Sequence, residues 1–119
     1  MKTILVVDDD ENLLDMLKEY LETRGYICYT ATNGEDALKT LNTNNIALAV
    51  IDVRMPRMSG LKLLSTIKSI KRDFPIILMT GFELSQREIA TMQYKADAYV
   101  TKPFSMDFIV RLIETLRLR

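Results

Sequence analysis

Three apolar runs in this chain stop abruptly on polar residues: Ile4-Leu5-Val6-Val7 on Asp8 and Asp9, Ala47-Leu48-Ala49-Val50-Ile51 on Asp52, and Ile76-Ile77-Leu78-Met79 on Thr80. A fourth, Ala98-Tyr99-Val100, leads into Thr101-Lys102-Pro103. Continuous runs this short and this rich in Val and Ile read as strands buried on both faces, as in parallel sheets covered by helices. Ligands of open parallel sheets sit beyond the carboxyl ends of the strands. Asp8, Asp9, Asp52, Thr80 and Lys102 are therefore expected to converge at one rim.

The segments between these runs carry helical spacing. Leu13, Leu14, Leu17 and Leu21 follow the first strand, and Gly25 ends that helix after Arg24. Residues 26–31 read as a second strand holding Cys28, and Asn33-Gly34 turns into a short helix with Ala37, Leu38 and Leu41. Ser59 caps a third helix with the stripe Leu63, Leu64, Ile67 and Ile70, and Ser85-Gln86-Arg87-Glu88 matches a capping box for a fourth. That fourth helix offers only Ile89, Ala90 and Met92 for burial, so a loosely held, partly exposed element is expected. A fifth opens near Ser105 with Phe108, Ile109, Leu112, Ile113 and Leu116 on one side. Strands and helices in strict alternation predict a doubly wound α/β fold, (βα)5, with a five-stranded parallel sheet. The flavodoxin-like strand order 2-1-3-4-5 would set the first and third strands side by side at a switch point, putting Asp8, Asp9 and Asp52 in one crevice.

At 119 residues the expectation is a single domain over 1–119. Its 16 basic and 16 acidic residues cancel, leaving no bulk field to recruit nucleic acid or an anionic membrane. Histidine is absent, which excludes His-based catalysis and the usual zinc sites, and one cysteine builds neither a disulfide nor a thiolate cage. No apolar stretch approaches the ~20 residues of a bilayer span, and Met1-Lys2-Thr3-Ile4 runs directly into a strand without a signal peptide. A cytoplasmic location is expected.

Crowded carboxylates repel one another, and such a grouping suits a cation lying between them. Oxygen ligands alone favour a hard ion, Mg²⁺ foremost with Mn²⁺ as an alternative. An Asp carboxylate can be a nucleophile toward phosphorus, an ammonium such as Lys102 can neutralise charge on phosphoryl oxygens, and the Thr80 hydroxyl can donate to one of them. Taken singly, each residue has a plainer role: a strand-end Asp caps a helix, Lys102 is a solvated charge, Tyr99 a half-buried strand aromatic. For Asp10, directly before Glu11, capping is the expected role. The coincidence of all four strand ends favours the chemical reading over the plain one.

The motifs Ile4-Leu5-Val6-Val7-Asp8-Asp9-Asp10, Val50-Ile51-Asp52-Val53-Arg54-Met55-Pro56 through Ser59-Gly60, 75–81 and 96–104 together resemble the receiver domain of two-component response regulators. The likeness implies that Asp52 is the phosphoacceptor and that Asp9, Asp52 and the backbone carbonyl of Arg54 bind Mg²⁺, with Asp8 helping through water. It implies that Thr80 and Lys102 contact the phosphoryl group, that Tyr99 changes rotamer with Thr80, and that the Lys102-Pro103 bond is cis. The implied donor is a phosphohistidine on a sensor histidine kinase or a histidine phosphotransfer protein. The implied output surface is the face of the fourth helix, fifth strand and fifth helix, which could also serve as a homodimer contact. Such a domain is a signalling module that assists its own phosphotransfer and dephosphorylation, not an enzyme on other substrates. One departure is visible: where receiver domains usually carry Gly-Ala before the fifth strand, this chain has Lys95-Ala96.

Three alternatives compete. A haloacid-dehalogenase-type phosphatase also uses a strand-end Asp with Mg²⁺, but wants a second Asp where Arg54 stands. A flavodoxin-like cofactor binder wants a Ser/Thr/Gly-rich phosphate loop after the first strand, where this chain has carboxylates. A receiver-like interaction module that is never phosphorylated would have no need of the full set of site residues. Two forms of the protein are equally compatible with the sequence: a single-domain regulator, or a receiver joined to an output domain.

Overall fold

The computed structural model describes residues 2–81 and 86–117. The elements run β1 (Thr3–Val7), α1 (Glu11–Thr23), β2 (Ile27–Ala31), α2 (Gly34–Thr43), β3 (Leu48–Asp52), α3 (Gly60–Ile70), β4 (Ile76–Thr80), α4 (Gln86–Thr91), β5 (Ala98–Thr101) and α5 (Met106–Arg117). All neighbouring strands are parallel, in the order β2-β1-β3-β4-β5. The doubly wound expectation holds, because each strand is followed by a helix that must cross back over the sheet.

The two faces of the sheet build two cores. Ile4, Val6, Leu48, Val50, Ile77 and Met79 pack with α1 and α5, while Leu5, Val7, Ala49, Ile51, Ile76 and Leu78 pack with α2 and α3. Alternate residues of one strand thus serve opposite cores, and β3 and β4 are buried at every position. This leaves only the strand ends for polar work.

Local signals set the helix starts. Asp10 accepts from the backbone N–H groups of Asn12 and Leu13, Asn33 from Asp36, and Ser59 from Lys62, each satisfying amides that a first turn leaves orphaned. Gly25, at φ 91°, takes the left-handed position after α1. The capping-box residue Ser85 lies outside the described residues; α4 begins at Gln86.

Two core expectations are corrected. Ile70 is 76% exposed and Phe108 44% exposed, whereas Leu63, Leu64 and Ile67 of α3 and Ile109, Ile113 and Leu116 of α5 are buried. Ile70 closes α3, at the end of its stripe, whereas Phe108 lies to the side of the face of α5 that Met106, Ile109, Ile113 and Leu116 turn to the core. In exchange Lys68 is buried on α3, its Nζ 2.7 Å from Asp97 Oδ2. Asp97 also accepts from the Ile76 amide at 2.9 Å, so this ion pair ties α3 to the start of β4 and the approach to β5.

Candidate functional site

Between β1 and β3 the connections leave in different directions, because β1 returns through α1 to β2 at the sheet edge while β3 proceeds to β4. Val7 pairs with Ile51, so Asp8 and Asp52 come off adjacent strands abreast. Oxygens of Asp8, Asp9 and Asp52 lie within 4.8 Å of one another. Asp8 and Asp52 are buried and Asp9 is exposed, which leaves one open side to the cluster.

Lys102 closes another side. Its Nζ sits 2.8 Å from Asp8 Oδ2 and 3.1 Å from Asp52 Oδ1, bridging the two strands. The ammonium is delivered by β5 through the pairing of Thr80 with Thr101 and the 2.6 Å hydrogen bond from the Lys102 amide to the Thr80 carbonyl, with the Lys102-Pro103 bond cis. Thr80 is itself buried at the end of β4.

Burial, and next to it the Asp8 charge, push the Asp52 carboxyl up to about 6, against the opposing pull of Lys102. Burial alone would lower the Lys102 ammonium, but hydrogen bonds and attraction from Asp8 and Asp52 outweigh it and raise its pKa. The cluster is thus carboxylate-rich, with the Lys102 ammonium inside it staying charged.

Beyond Asp52 the chain turns sharply. A Cβ on Gly60 would stand 2.0 Å from the Asp52 carbonyl oxygen, and the Gly60 amide donates to Val53 O at 2.8 Å. Only hydrogen fits there, so Gly60 lets the 53–59 loop fold back under Asp52. The loop is pinned on its far side by Met58, whose sulfur lies 2.4 Å from where a Gly34 Cβ would be, and by Arg57, which accepts a φ of 66° while pairing with Glu35 at 3.8 Å. Sequence reasoning singled out neither Gly60's close approach nor Met58; nothing in spacing or composition signals a contact between loop and second helix.

Asp8, Asp9, Asp52 and Lys102 are therefore gathered, with Thr80 at the neighbouring strand end. Asp10 is a helix cap, as expected, with its own amide donating to Asp8 Oδ1 at 2.9 Å. Tyr99 is half-buried against the α2/α3-side core, and its hydroxyl accepts from the Ala96 amide at 3.2 Å.

Residues 4–114 match the family model described as the response regulator receiver domain. The chain belongs to that family. Similar proteins agree: this receiver domain is 38% identical over 104 residues to the alkaline phosphatase synthesis transcriptional regulatory protein PhoP of Bacillus subtilis, covering 87% of this chain and 43% of PhoP. It is 34% identical over 119 residues to response regulator SaeR of Staphylococcus aureus, covering 100% of this chain and 52% of SaeR. The receiver domain spans about half the length of these curated relatives. Among solved structures, response regulator TrrA of Thermotoga maritima in complex with Mg(2+)-BeF superposes with a TM-score of 0.85 at 40% identity, covering 98% of this chain and 99% of TrrA. TrrA has also been solved in complex with histidine kinase ThkA. As a receiver domain, the chain is a signalling module of two-component systems rather than a conventional enzyme, and the phosphatase alternative finds no support. No helix among the described residues is long and apolar enough to cross a membrane.

Proposed function

We propose that this receiver domain takes a phosphoryl group from a phosphohistidine onto Asp52. The observation that carries the reading is the Lys102 ammonium bridging buried Asp8 and Asp52 beside a three-carboxylate cluster. A carboxylate lifted to about 6 is still mostly ionised at neutral pH and more basic than an exposed one, which suits it to attack phosphorus. An Asp52 oxygen forms the new bond to phosphorus as the phosphorus–nitrogen bond to the donor imidazole breaks, the ring keeping the electron pair and taking a proton from solvent. Lys102 lies where charge grows on the transferred oxygens, and Thr80 supplies a hydroxyl at the next strand end.

Oxygen donors without imidazole or thiolate fit Mg²⁺, or Mn²⁺, and TrrA's complex with Mg(2+)-BeF supports the same reading. Asp9, Asp52 and the Arg54 carbonyl would hold the ion directly and Asp8 through water; when bound, it neutralises charge on the phosphoryl oxygens. The donor partner is a sensor histidine kinase or a histidine phosphotransfer protein, the first supported by the complex of TrrA with ThkA. Output passes through the α4-β5-α5 face, to a second copy or an output domain. With net charge zero, direct nucleic acid binding is not assigned to this domain, and a cytoplasmic location suits a kinase partner.

Incubation with acetyl phosphate and Mg²⁺ should add one phosphoryl group, about 80 Da by intact mass, and Asp52→Asn should abolish it. Labelling that persists in that variant moves the acceptor elsewhere.

A further inference from the structure

Three consecutive residues between α4 and β5 each do something different. Lys95 Nζ donates to the carbonyl of Ala90 at 3.4 Å, in the last turn of α4, and to that of Met92 at 3.1 Å, the residue just after the helix. The Ala96 amide donates to the Tyr99 hydroxyl, and the Asp97 carboxylate is fixed by buried Lys68 and the Ile76 amide.

Lys95 stands where the family usually carries glycine, and among the described residues Arg57 is the sole non-glycine with positive φ. The helix end is therefore not closed by a left-handed residue. A cation folded back over carbonyls on either side of the helix end, those of Ala90 and Met92, does that work instead.

We infer that Lys95 is a positioning residue for the switch: its ammonium clasps the end of α4 and, through Ala96, holds Tyr99 in its present orientation. Because Asp97 is anchored, any relaxation of the segment falls on 95 and 96. Freeing the clasp moves the Ala96 amide away from the Tyr99 hydroxyl and releases the ring to its second position. The inference rests on Tyr99 being the aromatic that changes rotamer with Thr80, as the receiver-domain resemblance implies. It adds that the resting state is favoured by a charge this chain supplies itself.

The test uses the whole chain labelled with 3-fluorotyrosine, the Tyr99 signal being assigned by Tyr99→Phe. Lys95→Met keeps the aliphatic stem and removes the ammonium. A charge at a helix C-terminus shifts an equilibrium by about two- to fivefold. The population of the second Tyr99 state in unliganded protein should rise by about that factor, seen as altered exchange of its fluorine resonance. The beryllofluoride concentration at half-saturation should fall about two- to fivefold, since apparent affinity scales with the competent fraction. Lys95→Arg should restore both, and in a Tyr99→Phe background Lys95→Met should leave the midpoint unchanged. If Lys95→Met lowers thermal stability equally in both backgrounds, with Tyr99 exchange and the beryllofluoride midpoint unmoved, Lys95 is only a helix cap and the inference fails. The exchange measurement on unliganded protein decides this whatever Asp52 does. Absent acetyl phosphate labelling of wild type would refute the phosphoacceptor reading alone.

Discussion

Removing the charge of Asp52 should make the metal-free protein more stable at neutral pH while destroying its proposed function. Asp52 is raised from 3.8 to about 6 by burial and by Asp8, so the folded state holds a proton more tightly than the unfolded one. Between about pH 4 and 6 the native state binds the extra proton, and stability falls as pH rises through that window. Above it the whole cost is present; below pH 4 it vanishes. Roughly two pKa units at 1.36 kcal/mol each set an upper limit near 3 kcal/mol, and water reaching the open Asp9 side reduces this to about 1–2 kcal/mol. An Asn at 52 keeps an oxygen for Lys102, which also retains Asp8 at 2.8 Å. Asp52→Asn, melted in EDTA at pH 7.5, should therefore gain about 4–8 °C over wild type, at about 4 °C per kcal/mol for a chain of this size. The gap should close by pH 4. A variant no more stable than wild type at pH 7.5, or a gap that persists unchanged to pH 4, would show that Lys102 already neutralises the cluster and that the electrostatic reasoning is wrong.

Millimolar Mg²⁺ should raise the wild-type midpoint, by about 1.4 kcal/mol of stability at tenfold saturation, and Asp9→Asn should lose most of that gain in a calorimetric titration. Thr80→Ala should keep phosphorylation at Asp52, read by intact mass, yet lose most beryllofluoride-induced amide shifts in β5 and α5; surviving remote shifts would break the Thr80–Tyr99 coupling. Gly60→Ala forces a methyl group into the 2.0 Å approach to the Asp52 carbonyl. It should cost several kcal/mol in denaturant unfolding and depress labelling, because relief requires moving the backbone that carries Asp52.

The parallel sheet was legible because it follows from pattern, whereas its order came from likeness to the flavodoxin-like fold and was decided by the structure. Runs of four or five apolar residues cannot be solvated on either side, and helical spacing between them forces crossovers. The rim residues were legible for the same reason: a polar group after such a run has nowhere to go but the strand end. The exposure of Ile70 and Phe108 was not, since periodicity assigns a residue to a helix face without saying how far the core beneath it extends, along the helix for Ile70 and to its side for Phe108. Buried Lys68 was equally hidden, its partner Asp97 lying 29 residues away. Local sequence thus set which groups reach the rim. Tertiary structure alone decided that Lys102 spans Asp8 and Asp52, that Gly60 lets the loop close beneath Asp52, and that Lys95 folds back over α4. Those contacts depend on distances between elements remote in the chain or on how a turn closes, and neither is carried by the period of a hydrophobic pattern.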